Sequence, residues 1–135
     1  MTNNNAPNIY PAIRYADAPA AIEWLKKAFG FEELKVVPGE NGTVRHAELR
    51  LGAGIIMLGS GGKAKTERPR DHADADISLY VAVDDPDAHY ARAKAAGAEI
   101  IREVIDTDHG SRDYGALDLE GNVWWFGTYR PVASE

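Results

Sequence analysis

His46 and Glu48 have the chemistry of an acid–base couple. They stand two apart in an alternating stretch, so on a strand they lie side by side on one face. A carboxylate beside an imidazole favours the protonated ring, and the pair can exchange a proton with a substrate. Arg14 and Arg50 fall on the same face of their strands and can hold a developing oxyanion. The structural alternative is an ordinary ion cluster on a sheet. A second group is aromatic: Tyr10, Tyr80, Tyr114 and Trp125, with Met57 and Ser78 among them by the same alternation. Aromatic rings with a few oriented polar groups make the wall of a small-molecule pocket, stacking on flat or cationic ligands. Trp125 and Tyr114 can equally be packing residues, between halves of the chain or between two chains, and Met57 reads as packing before recognition. The other histidines are expected at the surface: His72 in a linker, His89 on a helix and His109 in a loop. Asp108 and His109, with Arg112 and Asp113, form at most a rim to the pocket.

The elements that position these residues repeat. Residues 49–59 match residues 117–127 at a shift of about 68: Leu49 meets Leu117, Leu51 meets Leu119, Leu58 meets Phe126 and Gly59 meets Gly127. Alternation predicts strands over residues 9–15 and 77–83. Each is followed by a helix that opens at an Asp with Pro nearby (Asp17 and Pro19; Asp84, Asp85 and Pro86) and ends at a glycine (Gly30, Gly97). Asp17 to Gly30 and Asp84 to Gly97 are both thirteen residues apart. Ile22, Leu25, Ala28 and Phe29 form the first helix's buried stripe. Three more strands follow each helix, and Glu120, Gly121 and Asn122 make the last turn. The chain thus reads as two β-α-β-β-β modules, 9–59 and 77–130, in one domain over residues 1–135.

One helix covers one face of four strands. On the helix side we expect Ile13, Ala47, Leu49, Leu51, Ile56, Leu58, Leu79, Val81, Leu117, Leu119, Trp124 and Phe126. On the open side we expect the acid–base and aromatic groups above, with Ala12 and Ala116. Residues 60–76 form the linker; its Lys63, Lys65, Arg68 and Arg70 read as a solvated charge run, or else as a collector of an anionic ligand. The Gly59-Ser60-Gly61 run lacks the strand–elbow–helix context of a serine nucleophile.

The bulk properties narrow the function. A formal charge of −6 and a pI near 5.2 argue against a nucleic-acid surface. The absence of cysteine removes disulfides, thiolate metal sites and cysteine nucleophiles. It fits the cytoplasm, as does a polar N-terminus without a basic and apolar leader. No apolar stretch approaches membrane-spanning length.

The tandem modules, the Asp118-Leu119-Glu120-Gly121-Asn122 turn, and the segments 20–25, 45–49 and 124–129 resemble the vicinal oxygen chelate superfamily, of glyoxalase, dioxygenase and bleomycin-resistance type. Leu119 stands where that turn usually has Pro. The resemblance implies an α+β fold in which the modules form a cupped eight-stranded mixed sheet, often within a homodimer. It also implies metal-ligand positions on the first and last strand of each module, here Tyr10, Met57, Ser78 and Trp125. None of these is an ordinary ligand for a hard divalent ion. We therefore expect no metal and no cofactor. The leading expectation is a small-molecule binder of the resistance or sequestration type for an aromatic or cationic ligand. The alternatives are an isomerase or lyase using His46 and Glu48, and a metal enzyme with a displaced site.

Overall fold

A computed structural model describes residues 7–63 and 75–133. His72, Lys65, Arg68 and Arg70 lie outside the described residues. The chain divides into two compact units, Met1–Lys65 and Thr66–Glu135, and each holds one module of the expected β-α-β-β-β order.

In the first module, β1 (Ala12–Tyr15) leads to α1 (Ala18–Trp24), then β2 (Glu32–Pro38), β3 (Val44–Leu51) and β4 (Gly54–Ser60). Asp17 caps α1 by accepting from the Ala20 amide at 3.1 Å, a contact worth about 1 kcal/mol. The helix widens into a π turn over Leu25–Phe29, and Gly30 closes it in the left-handed region at φ 85°. The sheet order is β1-β4-β3-β2, with β1 parallel to β4 and the other pairs antiparallel. Tyr15, Ala47, Leu49, Ile56 and Leu58 bury one face of it, while Ala18, Ala21, Ile22, Leu25, Ala28 and Phe29 are the buried side chains of the helix and its π turn.

The second module runs β5 (Leu79–Ala82), α2 (Pro86–Ala95), β6 (Glu99–Asp106), β7 (Arg112–Leu117) and β8 (Val123–Gly127), in the order β5-β8-β7-β6. Asp85, rather than Asp84, caps α2. This helix is polar, and of its residues only Pro86 and Ala93 are buried. It covers its sheet with rings instead. His89 lies 4.1 Å from Phe126, and Tyr90 meets Tyr114 edge-on at 5.3 Å. His89 is thus a packing residue, not the surface group expected from its place on a helix.

The two modules differ by single residues. Asp17 and Asp85, like Met57 and Trp125, are offset by 68. Gly30 and Gly97 are offset by 67, because α1 carries the extra residue of the π turn. β7 keeps the offset of 67: Glu48 pairs with Met57, whereas Gly115 pairs with Trp125. The hairpins then restore 68. Two residues, Gly52 and Ala53, join β3 to β4, with Leu51 paired to Gly54. Three residues, Leu119 to Gly121, lie between Asp118 and Asn122, whose backbones pair. Asp118 holds this longer turn: its carboxylate accepts from the amides of Glu120 and Asn122, from the Asn122 side chain and from the Trp124 indole.

A one-residue shift sends every side chain of a strand to the other face. The constant shift of 68 expected from the sequence is therefore wrong for β7. Tyr114 and Ala116 lie on the helix side, level with Phe126 and Trp124. Leu117 passes to the other face, and Leu119 sits in the turn, 42% exposed, instead of in the core.

Candidate functional site

The open face of the first module is polar. His46 Nε2 and Glu48 Oε2 are 2.7 Å apart, both half-exposed. The hydrogen bond from His46 holds the Glu48 carboxyl below its ordinary value, with Lys35 adding a Coulombic pull. Glu48 is level with Met57, and Met57 with Ala12, so three side chains form one row across the sheet. A shallow cavity of about 180 Å³ runs along it, lined by Ala12, Arg14, Arg45, His46 and Met57. Arg14 is anchored at its rim by donating to the Ser60 carbonyl at 3.0 Å. Arg50 is drawn to the edge by Glu32 at 3.2 Å and does not line the cavity. Tyr10 precedes β1, and its hydroxyl donates to the Pro7 carbonyl.

The second module carries a larger cavity, about 400 Å³, lined by Tyr80, Arg102, His109, Asp113, Trp125 and Tyr129, together with Thr107 and Pro131. Its floor is the row Tyr80, Trp125 and Gly115. Trp125 folds over Gly115 so closely that a Cβ there would stand 2.5 Å from the indole. Arg102 lies on the ring, its guanidinium carbon 5.0 Å from the ring centre. The same guanidinium is ion-paired through Nη2 to Asp113. Burial pulls the Arg102 pKa down from its ordinary value. Asp113 also accepts from the Ser111 hydroxyl at 3.3 Å. Tyr80 is fixed by donating to the Tyr129 carbonyl at 2.7 Å, and His109 meets the Tyr129 ring edge-on.

The structure thus gathers His46, Arg14 and Met57 in one module and Tyr80 and Trp125 in the other. It does not bring Tyr114 to either cavity. That ring is fully buried on the helix side of its sheet, with its hydroxyl 2.5 Å from His89 Nδ1. Burial raises its phenol pKa well above the ordinary value. Ser78 is exposed and precedes β5. Sequence reasoning missed Arg102, Tyr129 and Thr107, and gave His109 and Asp113 only a rim. The signal for Arg102 was present: at the offset of 67 it is the counterpart of Lys35, and the two pair with Gly115 and Glu48 in matching fashion.

The residues at the four metal-ligand positions do not fit a divalent ion. They offer a phenol already bonded to backbone, a thioether, an exposed hydroxyl and an indole, whose nitrogen has no lone pair to give. Among the described residues, no three His, Asp or Glu side chains are grouped to hold one elsewhere.

A family model described as the Glyoxalase/Bleomycin resistance protein/Dioxygenase superfamily matches residues 9–126. The uncharacterized protein Mb0911c of Mycobacterium bovis is 34% identical over 134 residues, covering 94% of this chain and 86% of its own. The crystal structure of TioX from Micromonospora sp. ML1 is also 34% identical, with a TM-score of 0.72 over 93% of this chain and 100% of that one. The fosfomycin resistance protein FosX from Listeria monocytogenes, solved with Mn(II) and sulfate, shares the fold at 16% identity, with a TM-score of 0.65 over 92% of this chain and 93% of its own.

Proposed function

The chain belongs to the Glyoxalase/Bleomycin resistance protein/Dioxygenase superfamily, and from that premise we propose that it is a metal-independent binding protein. It takes up a small aromatic or cationic molecule, in the manner of a resistance or sequestration protein. The observation that carries this reading is the cavity of about 400 Å³ built around Trp125. A superfamily position for a metal ligand holds an indole there, with Tyr80 beside it on the neighbouring strand. The size suits a ligand of one or two rings. As part of the same proposal, the 135 residues act as one functional domain, in the cytoplasm and as a homodimer; sedimentation equilibrium reads the last point directly.

Thermal shift in the presence of chelator tests the proposal. A panel of small aromatic and cationic compounds, each at about a hundred times its dissociation constant, should add roughly 2.7 kcal/mol of stability. Trp125→Ala should abolish the response. Stabilisation only by divalent metal, reversed by chelator, would overturn the reading.

The 2.7 Å contact between His46 and Glu48 favours a second reading, acid–base catalysis of an isomerase or lyase type. Such turnover would be lost in His46→Gln; activity that survives the substitution removes His46 from the chemistry. A displaced metal site would need further ligands beside this pair, and among the described residues none is grouped with it.

A further inference from the structure

The cavity of the second module holds unspent donors and only one carboxylate, which is already engaged. Arg102 has five N–H groups. Among the described residues its hydrogen bonding is confined to Nη2, which meets Asp113. Its Nε is buried without a partner. Its Nη1 makes no hydrogen bond to the described residues and is not fully buried. The Trp125 indole N–H is in the same condition. Both groups can only donate. The one carboxylate in the lining, Asp113, is 12% exposed at its side chain and engaged at both oxygens, by Arg102 and by Ser111. Thr107 is consumed within its own loop, where its hydroxyl donates to the Ser111 carbonyl and accepts from the Ser111 amide. A cation entering this cavity would meet a guanidinium and find no free carboxylate.

We propose that this cavity selects a planar aromatic molecule bearing a carboxylate. The inference rests on the binding function proposed above and decides between its two ligand classes. The carboxylate accepts from Arg102 Nη1 and the Trp125 N–H. The ring lies along the partly exposed faces of Tyr80 and Tyr129, which are 41% and 53% exposed. Arg102 is suited to the task because its partner Asp113 fixes the guanidinium plane before the ligand arrives, so little side-chain freedom is lost on binding. Charge-assisted hydrogen bonds of this kind are stronger than neutral ones.

Isothermal titration in chelator, with three probes of one shape, tests the selection: 2-naphthoate, 2-naphthamide and 2-naphthylmethylammonium. Naphthoate should bind about tenfold tighter than the amide, as expected for hydrogen bonds to a charged group, and the ammonium weakest. Arg102→Met should remove the advantage of naphthoate over the amide, weakening naphthoate far more than the amide. Because that variant strands a carboxylate, Arg102→Met/Asp113→Asn is measured beside it, with thermal melting to show that both fold. Tightest binding by the ammonium, or naphthoate affinity that survives both variants, would overturn the carboxylate proposal and leave metal-independent binding standing. Failure of all three probes also overturns it, while the wider thermal-shift panel judges the binding function separately.

Discussion

The same address in the two modules carries opposite chemistry. Ala12, Met57 and Glu48 form the row across the first sheet, and Tyr80, Trp125 and Gly115 form the matching row across the second. In the first, a long acidic side chain stands up from β3 and a flexible thioether lies beside it. In the second, the acid is replaced by a glycine, and the space it leaves is filled by an indole lying down against the backbone. Two residues before Glu48 on its strand, His46 corresponds to Asp113 of the second module, and Lys35 to Arg102, at the offset of 67 that holds between β3 and β7. The duplication preserved the scaffold while each copy took its own side chains: one face became a small ion cluster, the other an aromatic cavity. A repeat is therefore evidence for shared geometry and not for shared chemistry.

The largest expected effect comes from the turn that sets the register of the second copy. Asp118→Ala removes an acceptor shared by four donors, one of them the indole of the fully buried Trp124. It should cost about 3 kcal/mol in urea unfolding. The two-residue turn of the first module has no such side-chain hub, so Ala53→Ser should change stability little. Equal losses in the two would erase the distinction between the hairpins.

Next is Gly115→Ala. The new Cβ has no room beneath Trp125, so the indole must move. We expect a loss of about 2 kcal/mol, a shift in tryptophan emission and loss of ligand binding. Its counterpart Glu48→Ala should leave the core intact. Smaller still is Tyr114→Phe, which removes the hydroxyl that meets His89 at a cost of about 1 kcal/mol. It should leave ligand affinity unchanged, since the ring faces the helix. A large loss of affinity would return Tyr114 to the open face and break the register argument.

The smallest effect belongs to Glu48. Its carboxyl is held down chiefly by the hydrogen bond from His46. A depressed carboxyl contributes stability above its unfolded pKa, here 4.5, and loses it as the pH falls through the lower folded value. The pair is exposed, so the contribution is slight. Glu48→Gln should lower the urea midpoint slightly at neutral pH, and the gap should close in strong acid. A gap that persists in acid would assign the difference to packing instead of charge.

Much of the fold was legible because its signals are local. An Asp before a Pro, an apolar stripe and a terminal glycine bound each helix, and alternation marks the strands of the first sheet and β8. The placement of β7 was not legible, because Tyr114 to Leu119 alternates acceptably on either face: Tyr114 and Ala116 are as plausible inside as Leu117 and Leu119. Only the length of the Asp118 turn decides, and turn length is poorly visible in a repeat aligned without gaps. Strand starts were overextended for a related reason. Ile9 and Ile77 continue the alternation, yet they precede β1 and β5 and are 84% and 83% exposed. In the candidate site, Tyr80 and Trp125 were found by face, whereas Arg102 was not. It lies on an irregular edge strand where pairing slips between Ile100 and Arg102 and again before Ile105, so alternation does not predict its direction.

The π turn at the end of α1 can be viewed as a stored length difference. It holds one residue more than its counterpart at α2, yet the entry Asp and the exit Gly keep their duties in both modules. The surplus is absorbed within five residues as a wider coil. Adding or removing a codon in residues 25–29 is accordingly a change the first module can accommodate by tightening or loosening one turn. The same edit in α2, whose helix has no slack, must travel onward into β6 and turn its side chains over. Length variation between descendants of such a duplication should therefore collect in the first helix and be scarce in the second.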